Sequence, residues 1–384
     1  RLTSSADIHF EKHITITHSD FRFIVTEQLQ AIGIDPKHII LEPEGKNTAP
    51  AILAASIFAK NNNPDAILLV APSDHDIPDT EEFHKAIKAG LEQVQAGKMV
   101  VFGISPTHPE TGYGYIEVAS ENLDHLGVAS VECFIEKPEY LNAEKMFQAG
   151  NYLWNAGIFL FKAVDMITAF EKLENEILKL TEEALRVAKL DLGFYLLNPE
   201  LWQKIKNISI DIAIMERIKN LAVIKYSSKW SDLGNWSEVW LKGQKDSYGN
   251  VTSETAHSID CTETLLRSEK STIQIVGLGL NNIIAIAMPD AVLVANKNRT
   301  QDIKDVVEYL KKKNIPQAEI FQKDHRPWGW FESLVLGNGY QVKRICVNPR
   351  GALSLQSHKY RSEHWIVVKG IAKVTIGDEV KLIN

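Results

Sequence analysis

Cysteine is scarce in this chain, with three residues among 384. Cys133, Cys261 and Cys346 lie far apart and form no Cys-x-x-Cys pair. This pattern excludes a disulfide framework and a thiolate zinc site. It is typical of proteins from a reducing compartment, so we expect a cytoplasmic location.

Long apolar runs are also missing, since no stretch approaches the ~18 residues that a membrane-spanning helix needs. The first residues carry no signal-peptide pattern. Acidic side chains outnumber basic ones by 49 to 42, for a formal net charge of −7. This balance argues against a protein that coats nucleic acid or an anionic membrane, although a few placed cations and a metal could still hold a phosphate.

The chain does contain a regular alternation of short apolar runs and helical periods between residues 13 and 313. A continuous run such as 66–71 is typical of a strand covered on both faces. Strands that alternate with helices predict right-handed crossovers and a mainly parallel sheet. We therefore expect an α/β domain, with helices that include 21–32, 80–95 and a long stretch over 164–188.

The predicted secondary structure changes at two points along the chain. Residues 250–297 are short β-rich pieces closed by a predicted helix at 300–313, and from residue 328 onward the pattern is all strand. The length suits roughly two to three domains. The predicted domains are 1–245, 246–321 and 322–384.

Two aspartates follow predicted strands directly. Asp74 comes after 66–71, and Asp232 lies just past the strand 221–225. Ligands of open α/β sheets bind at the carboxyl ends of strands, and Mg²⁺ is typically held by one or two carboxylates plus phosphates and waters. The two residues are therefore candidate ligands of one Mg²⁺, with a solvated turn and a helix start as the alternatives.

Other polar groups also stand at strand ends. Glu136 and Lys137 lie in the segment F-I-E-K-P, where the lysine could neutralise a phosphate and the glutamate could accept bonds from sugar hydroxyls. Asn155 and Gly157 lie in W-N-A-G-I, an amide beside small residues, and Gly114 lies in the backbone-exposing segment G-Y-G-Y. The commoner alternatives are a surface ion pair and a hairpin turn.

A predicted helix starts at the segment Asn47, Thr48, Ala49 and Pro50. Free N–H groups at a helix start attract anions or a polar base edge, so this segment is a candidate nucleotide contact. Capping by Asn47 or Thr48 would explain those two residues equally well.

The order of these segments is more specific than any one of them. The chain resembles the mannose-1-phosphate guanylyltransferase family in the succession E-P-x-x-K-N-T-A-P, P-S-D-H, G-Y-G-Y-I, F-I-E-K-P, W-N-A-G-I-F, S-I-D-I-A-I-M-E and W-S-D-L-G-N-W. The resemblance covers about residues 13–304. It implies a Rossmann-like domain that joins GTP to mannose 1-phosphate, giving GDP-mannose and pyrophosphate.

The resemblance also implies roles for individual residues. Asp74 and Asp232 would hold Mg²⁺, and Lys137 and Glu136 would contact the sugar phosphate and the sugar. Gly114, Asn155 and Gly157 would line the mannose pocket, and Asn47 to Pro50 would lie near the nucleotide base. The resemblance gives no definite role to Ser209 and Asp211 of the S-I-D motif.

The chain departs from this family at two points. The family's glycine-rich phosphate loop precedes the strand at 13–17, whereas this chain has no glycine before Gly33 and does not start with methionine. We therefore expect the loop in a segment outside the given sequence. Lys46 stands where the family usually has arginine, which loses a bidentate grip.

A second constellation lies near the end of the chain. Gln356 and His358 would point to one face of a predicted strand, and Glu363 would lie on the neighbouring strand. Such groups could hold a divalent metal, Zn²⁺ or similar, although a polar strand pair is the alternative.

This stretch resembles the cupin-fold type II mannose-6-phosphate isomerase domain in its pattern Q-x-H-x-x-R-x-E-H-W. The resemblance implies a truncated cupin-like β-barrel that acts on mannose 6-phosphate. Family members complete the metal site with a later histidine. Because no histidine follows His364, we expect an incomplete site here.

Two other functions remain open from the sequence. Asp74-His75-Asp76 has the D-x-D form of a metal-dependent glycosyltransferase, and a non-catalytic sugar-nucleotide sensor is compatible with the same segments. The sequence leaves the choice of base and an assembly of identical chains undecided.

Overall fold

The computed structural model describes residues 8–35, 38–118 and 127–384. The chain divides into two compact units, the first ending at Ile320 and the second spanning Phe321–Asn384. In the described part, no helix is long and apolar enough to cross a bilayer. The predicted boundary near residue 245 stays a prediction.

The first unit begins with an α/β region of ten strands and eight helices among the described residues. The strands are β1 Ile14–His18, β2 His38–Glu42, β3 Ile67–Val70, β4 Met99–Ile104, β5 Tyr115–Val118, β6 Val128–Ile135, β7 Tyr152–Lys162, β8 Lys189–Asp191, β9 Phe194–Leu196 and β10 Leu221–Tyr226. The helices are α1 Arg22–Ala31, α2 Thr48–Asn62, α3 Thr80–Gln95, α4 Tyr140–Ala149, α5 Ala163–Leu173, α6 Asn175–Arg186, α7 Pro199–Gln203 and α8 Trp236–Lys242.

A six-stranded mixed sheet forms the centre of this region, in the order β3-β7-β4-β10-β6-β5. Among the described residues only the pair β4–β10 of this sheet is parallel, since β7 runs antiparallel to β3 and β4, and β6 runs antiparallel to β10 and β5. The prediction of a mainly parallel sheet is therefore wrong. The helix α3 connects β3 to β4 as a crossover would, but β7 enters between these two strands and separates them.

The sheet has an apolar core on each face, which explains its continuous apolar runs. Val101 and Val223 pack toward α2 and α5, whereas Val100 and Ile224, their neighbours along the strands, pack toward α3. Successive strand residues point to opposite faces, so both must be apolar when helices cover both sides. The predicted α/β class is confirmed.

The run 66–71 is covered on both faces, as predicted, because Leu68 and Val70 pack against the core of one face and Leu69 against that of the other. In the described residues β3 pairs only with β7, so it lies at the edge of the sheet. The predicted helix over 164–188 is two helices, broken at Glu174, whose backbone leaves the helical region (φ −144°, ψ 54°).

A second, smaller sheet has the order β1-β2-β9-β8. The pairs β1–β2 and β2–β9 are parallel, and β8–β9 is an antiparallel hairpin. Ile39, Leu41 and Phe194 form its own small core. Helix α2 starts after β2, so this sheet positions the segment Asn47–Pro50.

Short strands then wind between two sheets. They are β11 Val251–Thr252, β12 Ala256–Ile259, β13 Leu265–Ser268, β14 Ile275–Leu278, β15 Ile283–Ala287 and β16 Val292–Asn296. One sheet pairs β11, β13 and β15 in parallel, and the other pairs β12 with β14 in parallel. Strands β11 to β15 thus alternate between the sheets, as in a β-helix, and β16 pairs antiparallel with β15. A 3₁₀ turn at Lys297–Asp302 then leads into α9, Ile303–Lys312.

The second unit contains a three-stranded antiparallel sheet of β17 Lys323–Arg326, β18 Gly329–Gly337 and β19 Tyr340–Val347, and a hairpin of β20 Ala372–Ile376 and β21 Glu379–Ile383. Residues 348–371 contain no strand, so the prediction of an all-strand segment after residue 328 is wrong in this stretch.

Candidate active site

The loops that follow β3 and β10 are joined to each other. Asp76 and Ser231 form an isolated antiparallel bridge, with Asp76 N donating to Ser231 O at 2.8 Å and Ser231 N donating to Asp76 O at 3.2 Å. Burial lowers the pKa of His75, and the nearby carboxylates of Asp74 and Asp232 oppose that effect. Both aspartates therefore lie around the same imidazole, at the carboxyl ends of their strands.

Several contacts fix the position of Asp232. Its Oδ1 accepts a bond from Gly234 N at 3.0 Å, and the Tyr113 hydroxyl donates to its carboxylate. The Tyr113 ring centroid lies 5.5 Å from that of Trp230 and 5.2 Å from that of Trp154. Burial, then the charge of Asp232, raises the pKa of Tyr113 far above its usual value, so the hydroxyl stays a donor. Tyr113 received no role from the sequence, although its place between two glycines was a signal.

The charges of this site are unbalanced. Lys242 Nζ pairs with Asp76 Oδ2 at 2.5 Å, whereas among the described residues no lysine or arginine forms an ion pair with Asp74 or Asp232. Burial, and then the charge of Asp232, raises the pKa of the nearby Glu238 carboxyl. Two carboxylates without a cation suit a hard oxygen-seeking ion such as Mg²⁺.

Within the described ranges, no three His, Cys, Asp or Glu side chains are grouped as a metal cluster. An ion held by Asp74 and Asp232 would take its other ligands from phosphates and water, as Mg²⁺ usually does. The residues present fit that role. Because Asp76 is engaged by Lys242, the D-x-D interpretation loses its second carboxylate.

A bulge in β7 shapes the neighbouring part of the site. Val101 of β4 faces Phe159 while Gly103 faces Asn155, so β7 carries extra residues between these pairs. Gly157 lies in this bulge with φ +66°, a conformation that other residues adopt only with strain. A side chain there would point at Pro72 and His75 of the β3 loop. The bulge therefore brings W-N-A-G-I against the loop that carries Asp74.

Asn155 is held in one orientation by two contacts. Its Oδ1 accepts a bond from Gly157 N at 3.0 Å, and its Nδ2 donates to Asp211 Oδ1 at 3.0 Å. Asp211 begins a π-helical turn, Asp211–Met215, closed by a bond from Glu216 N to Asp211 O at 2.9 Å. Burial, and then the charge of Glu136, raises the pKa of Asp211 to about 7. Single π turns are frequent at functional sites, so Asp211 is a residue whose importance the sequence understated.

The same turn also fixes the end of β6. Glu216 Oε1 accepts a bond from Glu136 N at 2.9 Å, and Glu136 Oε1 pairs with Lys137 Nζ at 3.0 Å. A Cβ on Gly114 would stand 2.9 Å from Glu136 Oε2 and 3.4 Å from Asn155 Cβ, so a larger residue there would displace the Glu136 carboxylate. The structure thus groups Glu136, Lys137 and Asn155 around Asp211, with Gly114 against Glu136 and Asn155. Gly157, the fifth residue predicted on the sugar side, donates its N–H to Asn155.

The start of α2 is tied to the π turn. Asn47 caps the helix, with its Oδ1 accepting from Thr48 N at 2.9 Å, and Ala49 N donates to Ile208 O at 3.2 Å. Thr48 Oγ1 accepts from Ile210 N at 2.9 Å, while Ala49 and Pro50 are buried. These first amides are already bonded within the chain, so the capping alternative holds for Asn47. A nucleotide role for Asn47 to Pro50 stays a prediction.

The second unit does not assemble the predicted isomerase metal site. Gln356 and His358 lie outside any strand, because no neighbouring strand pairs with this stretch in the described residues. His358 Nε2 is 3.0 Å from Glu363 Oε1, but Arg361 contacts both, at 2.8 Å and 3.0 Å. A guanidinium at this place does not fit a bound cation. The prediction that Gln356 and His358 lie on a strand is wrong, since the structure has no strand there.

Comparison with protein families gives three matches along the chain. Residues 2–248 match the model described as nucleotidyl transferase. Residues 256–310 match the mannose-phosphate isomerase/GMP-like β-helix domain, and residues 313–384 match the C-terminal domain of mannose-6-phosphate isomerase.

Similar proteins extend over nearly all of the chain. The xanthan biosynthesis protein XanB of Xanthomonas campestris pv. campestris (strain B100) is 38% identical over 99% of this chain and 80% of its own length. A mannose-1-phosphate guanylyltransferase of Escherichia coli (strain K12) is 37% identical over 98% of this chain and 79% of its own. A crystal structure from Thermus thermophilus, described as a mannose-1-phosphate geranyltransferase, aligns with a TM-score of 0.65 at 28% identity, covering 77% of this chain and 83% of that one.

Proposed function

Because the chain belongs to the mannose-1-phosphate guanylyltransferase family of nucleotidyl transferases, we propose that it transfers GMP from GTP to mannose 1-phosphate, giving GDP-mannose and pyrophosphate. The observation that carries this proposal is the meeting of Asp74 and Asp232 around His75, beside the group of Gly114, Glu136 and Asn155. The product would supply polysaccharide or glycoconjugate synthesis in the cytoplasm.

The proposed reaction forms one bond and breaks one. An oxygen of the mannose 1-phosphate phosphoryl group attacks the α-phosphorus of GTP, and the bond from that phosphorus to the oxygen bridging to the β-phosphorus breaks, so that pyrophosphate leaves. Several anionic oxygens meet in this step, so positioning and charge neutralisation determine the barrier. Bound Mg²⁺ would offset the repulsion between the two anions.

The chain's own residues supply the positioning. Asp74 and Asp232 would hold the cation, with Tyr113 and Gly234 fixing Asp232. Lys137, whose side chain is 59% exposed, is free to turn its ammonium group from Glu136 to the phosphate of the sugar. The Glu136 carboxylate would accept hydrogen bonds from sugar hydroxyls, and the backbone at Gly114 would also form hydrogen bonds with the sugar. Asn155, held by Asp211, would line the same pocket.

The test is a pyrophosphate-release panel with the full-length protein. GTP, UTP, ATP and dTTP are each combined with mannose 1-phosphate or glucose 1-phosphate, with and without Mg²⁺. We expect release only with GTP, mannose 1-phosphate and Mg²⁺ together. No release under those conditions would refute the proposal. Equal release with every nucleotide would refute the assignment of GTP as the substrate.

We further infer that the part of the protein matching the mannose-6-phosphate isomerase domain serves an isomerase function in the full-length protein, with mannose 6-phosphate as substrate and a divalent metal such as Zn²⁺. The contacts of His358, Arg361 and Glu363 do not fit that metal within the residues described here, so no chemical step is assigned to them.

A further inference from the structure

The 3₁₀ turn Lys297–Asp302, at the end of the β-helix strands, contacts the helix that follows the Asp232 loop. Ser237 Oγ donates to Lys297 O at 2.8 Å and lies 2.9 Å from Thr300 Oγ1. Ser237 is the second residue of α8, which starts directly after the loop carrying Asp232. The position of α8 therefore depends on residues outside the nucleotidyl transferase match.

Lys297 makes several of these contacts through its side chain. Its side chain is only 9% exposed, its Nζ lies 3.2 Å from the centroid of the Trp240 ring, and it donates at 3.2 Å to both Glu263 O and Glu263 Oε2. A cation over an indole ring gains most where water is excluded, and a buried ammonium is tolerated only when it is partnered. Lys297 thus joins α8 to the β-helix through a fully partnered charge.

Apolar packing supports the same junction. Trp236, Val239 and Trp240 of α8 pack against a buried cluster of the β-helix strands, formed by Leu265, Ile284 and Ile286. Trp240 Nε1 also donates to Gly249 O at 2.9 Å. The helix is therefore held on two sides, and little freedom remains for the loop before it.

The turn also touches the second segment that orients Asp232. Gln301 Nε2 lies 3.4 Å from the place that a Cβ on Gly112 would take. Gly112 N donates to Glu110 Oε1 at 2.8 Å, and the next residue, Tyr113, hydrogen-bonds Asp232. One short turn of the β-helix thus contacts both the helix behind Asp232 and the loop in front of it.

We propose that the turn Lys297–Asp302 is a positioning element of the nucleotidyl transfer site, and that Lys297 holds α8, and through it Asp232, in the geometry that binds Mg²⁺. This rests on the proposed function for its activity readout. A displacement of about 1 Å at a reacting centre can cost roughly 100-fold in rate, so indirect support of this kind matters.

The test compares Lys297→Met with wild type in the full-length protein by two measurements. We expect the Mg²⁺ concentration for half-maximal pyrophosphate release to rise at least about 5-fold, with a smaller change in the maximal rate at saturating Mg²⁺. Amide hydrogen exchange over residues 230–242, measured without metal or nucleotide, should become faster. Lys297→Arg, which keeps a cation over Trp240, should restore both within about 2-fold.

Lys245 provides a matched control. Its ammonium lies 4.6 Å from the centroid of the same Trp240 ring, but it is exposed and donates its hydrogen bond to Leu241 O within its own segment. Lys245→Met removes the same charge from the same ring without touching the turn, so neither measurement should change. Equal effects of Lys245→Met and Lys297→Met, or none from Lys297→Met, would overturn the proposal.

If Lys297→Met does not fold, Ser237→Ala breaks the two contacts to Lys297 O and Thr300 Oγ1 with a smaller perturbation. It should shift both measurements in the same direction, and an unchanged Mg²⁺ dependence with unchanged exchange would count against the proposal. Hydrogen exchange needs no turnover. Absence of pyrophosphate release by wild type would therefore refute the proposed function, while the exchange data would still decide the role of Lys297.

Discussion

Asp74 and Asp232 carry like charges near one imidazole, and among the described residues neither has a basic ion-pair partner. Asp74→Asn or Asp232→Asn would remove one charge that the Mg²⁺ site needs while keeping the side-chain shape. We expect each variant to lower the rate of pyrophosphate release by at least about 100-fold at about 1 mM Mg²⁺, on the order of a lost preorganised charge contact. Initial rates over a Mg²⁺ series measure this.

Asp76→Asn is the control for that loss. Asp76 lies in the same loop but pairs with Lys242, and its backbone, not its side chain, forms the bridge to Ser231. The variant should keep activity within about 5-fold and show an unchanged Mg²⁺ dependence. If Asp76→Asn were as inactive as Asp232→Asn, Asp76 would also be needed for metal binding, as the D-x-D interpretation predicts.

Asp211 predicts a pH dependence of stability. Burial and Glu136 raise its folded-state pKa to about 7, above the unfolded value of about 3.9. As pH rises from about 4 to about 7, the unfolded chain loses this proton while the folded chain retains it, so this group makes the folded state less stable with rising pH. Asp211→Asn removes that penalty, so its free energy of unfolding relative to wild type should increase from pH 5 to pH 7, by at most about 2.7 kcal/mol, since one proton changes stability by at most about 1.36 kcal/mol per pH unit.

Urea unfolding at pH 5, 6, 7 and 8 measures this difference. Asp246 provides the opposite case, since hydrogen bonds from Asn250 lower its pKa. Asp246→Asn should be less stable than wild type, with a difference that stays constant between pH 6 and pH 8. A difference between Asp211→Asn and wild type that does not vary with pH would exclude a raised pKa at Asp211.

At the scale of elements, the bulge in β7 links backbone shape to the sugar side of the site. Gly157→Ala should cost about 1–2 kcal/mol in stability, because φ +66° is strained for alanine. Its Cβ would meet only ordinary contacts, at 3.8 Å and 3.9 Å, so the chain should still fold. Relaxation of the bulge would shift Asn155, so the KM for mannose 1-phosphate should rise more than the KM for GTP.

Gly193→Ala controls for the backbone effect alone. Gly193 has φ +87° in the β8–β9 turn, with open space where a Cβ would stand. Its stability loss should be similar and both KM values should stay unchanged, as measured by thermal melting and steady-state kinetics. If the KM for mannose 1-phosphate rose in both variants, the effect would not be specific to the bulge, and the bulge would not position the sugar-binding residues.

Local sequence patterns predict most helices and strands, but they do not predict which strands pair with each other in the sheets. Helix α3 was predicted at its observed bounds because an amphipathic period and an N-cap at Asp79 are both local signals. The insertion of β7 between β3 and β4 depends on partners more than fifty residues away, which periodicity does not contain. The π turn at Asp211 likewise gave no periodic signal, since it is a single turn.

The candidate site followed the same rule. The rule that ligands bind at the carboxyl ends of strands led to Asp74 and Asp232, and the structure brings their loops together. Their roles stay predictions. The bond from Asn155 to Asp211 and that from Tyr113 to Asp232 connect distant segments, so only the three-dimensional structure could identify them.

At the scale of the whole chain, the residues of the two predicted chemistries belong to different compact units. Asp232 belongs to the unit ending at Ile320, whereas His358 and Glu363 belong to Phe321–Asn384. The alternating Q-x-H pattern predicted a strand that the structure lacks. A strand needs a paired neighbour and a buried face, whereas Leu355, next to Gln356, is 80% exposed.

This separation predicts independent activities in the full-length protein. His358→Ala should leave pyrophosphate release within about 2-fold of wild type, because the contacts of His358 with Arg361 and Glu363 lie within the second unit. Because His358 lies in the part that matches the mannose-6-phosphate isomerase domain, the same variant should lower the conversion of mannose 6-phosphate to its ketose by the full-length protein, measured in a coupled assay. Asp232→Asn should give the reverse pattern, and the double variant should lose both activities by the factors of the single variants, as expected for sites without shared partners. Loss of nucleotidyl transfer in His358→Ala would instead require the two units to act as one catalytic body.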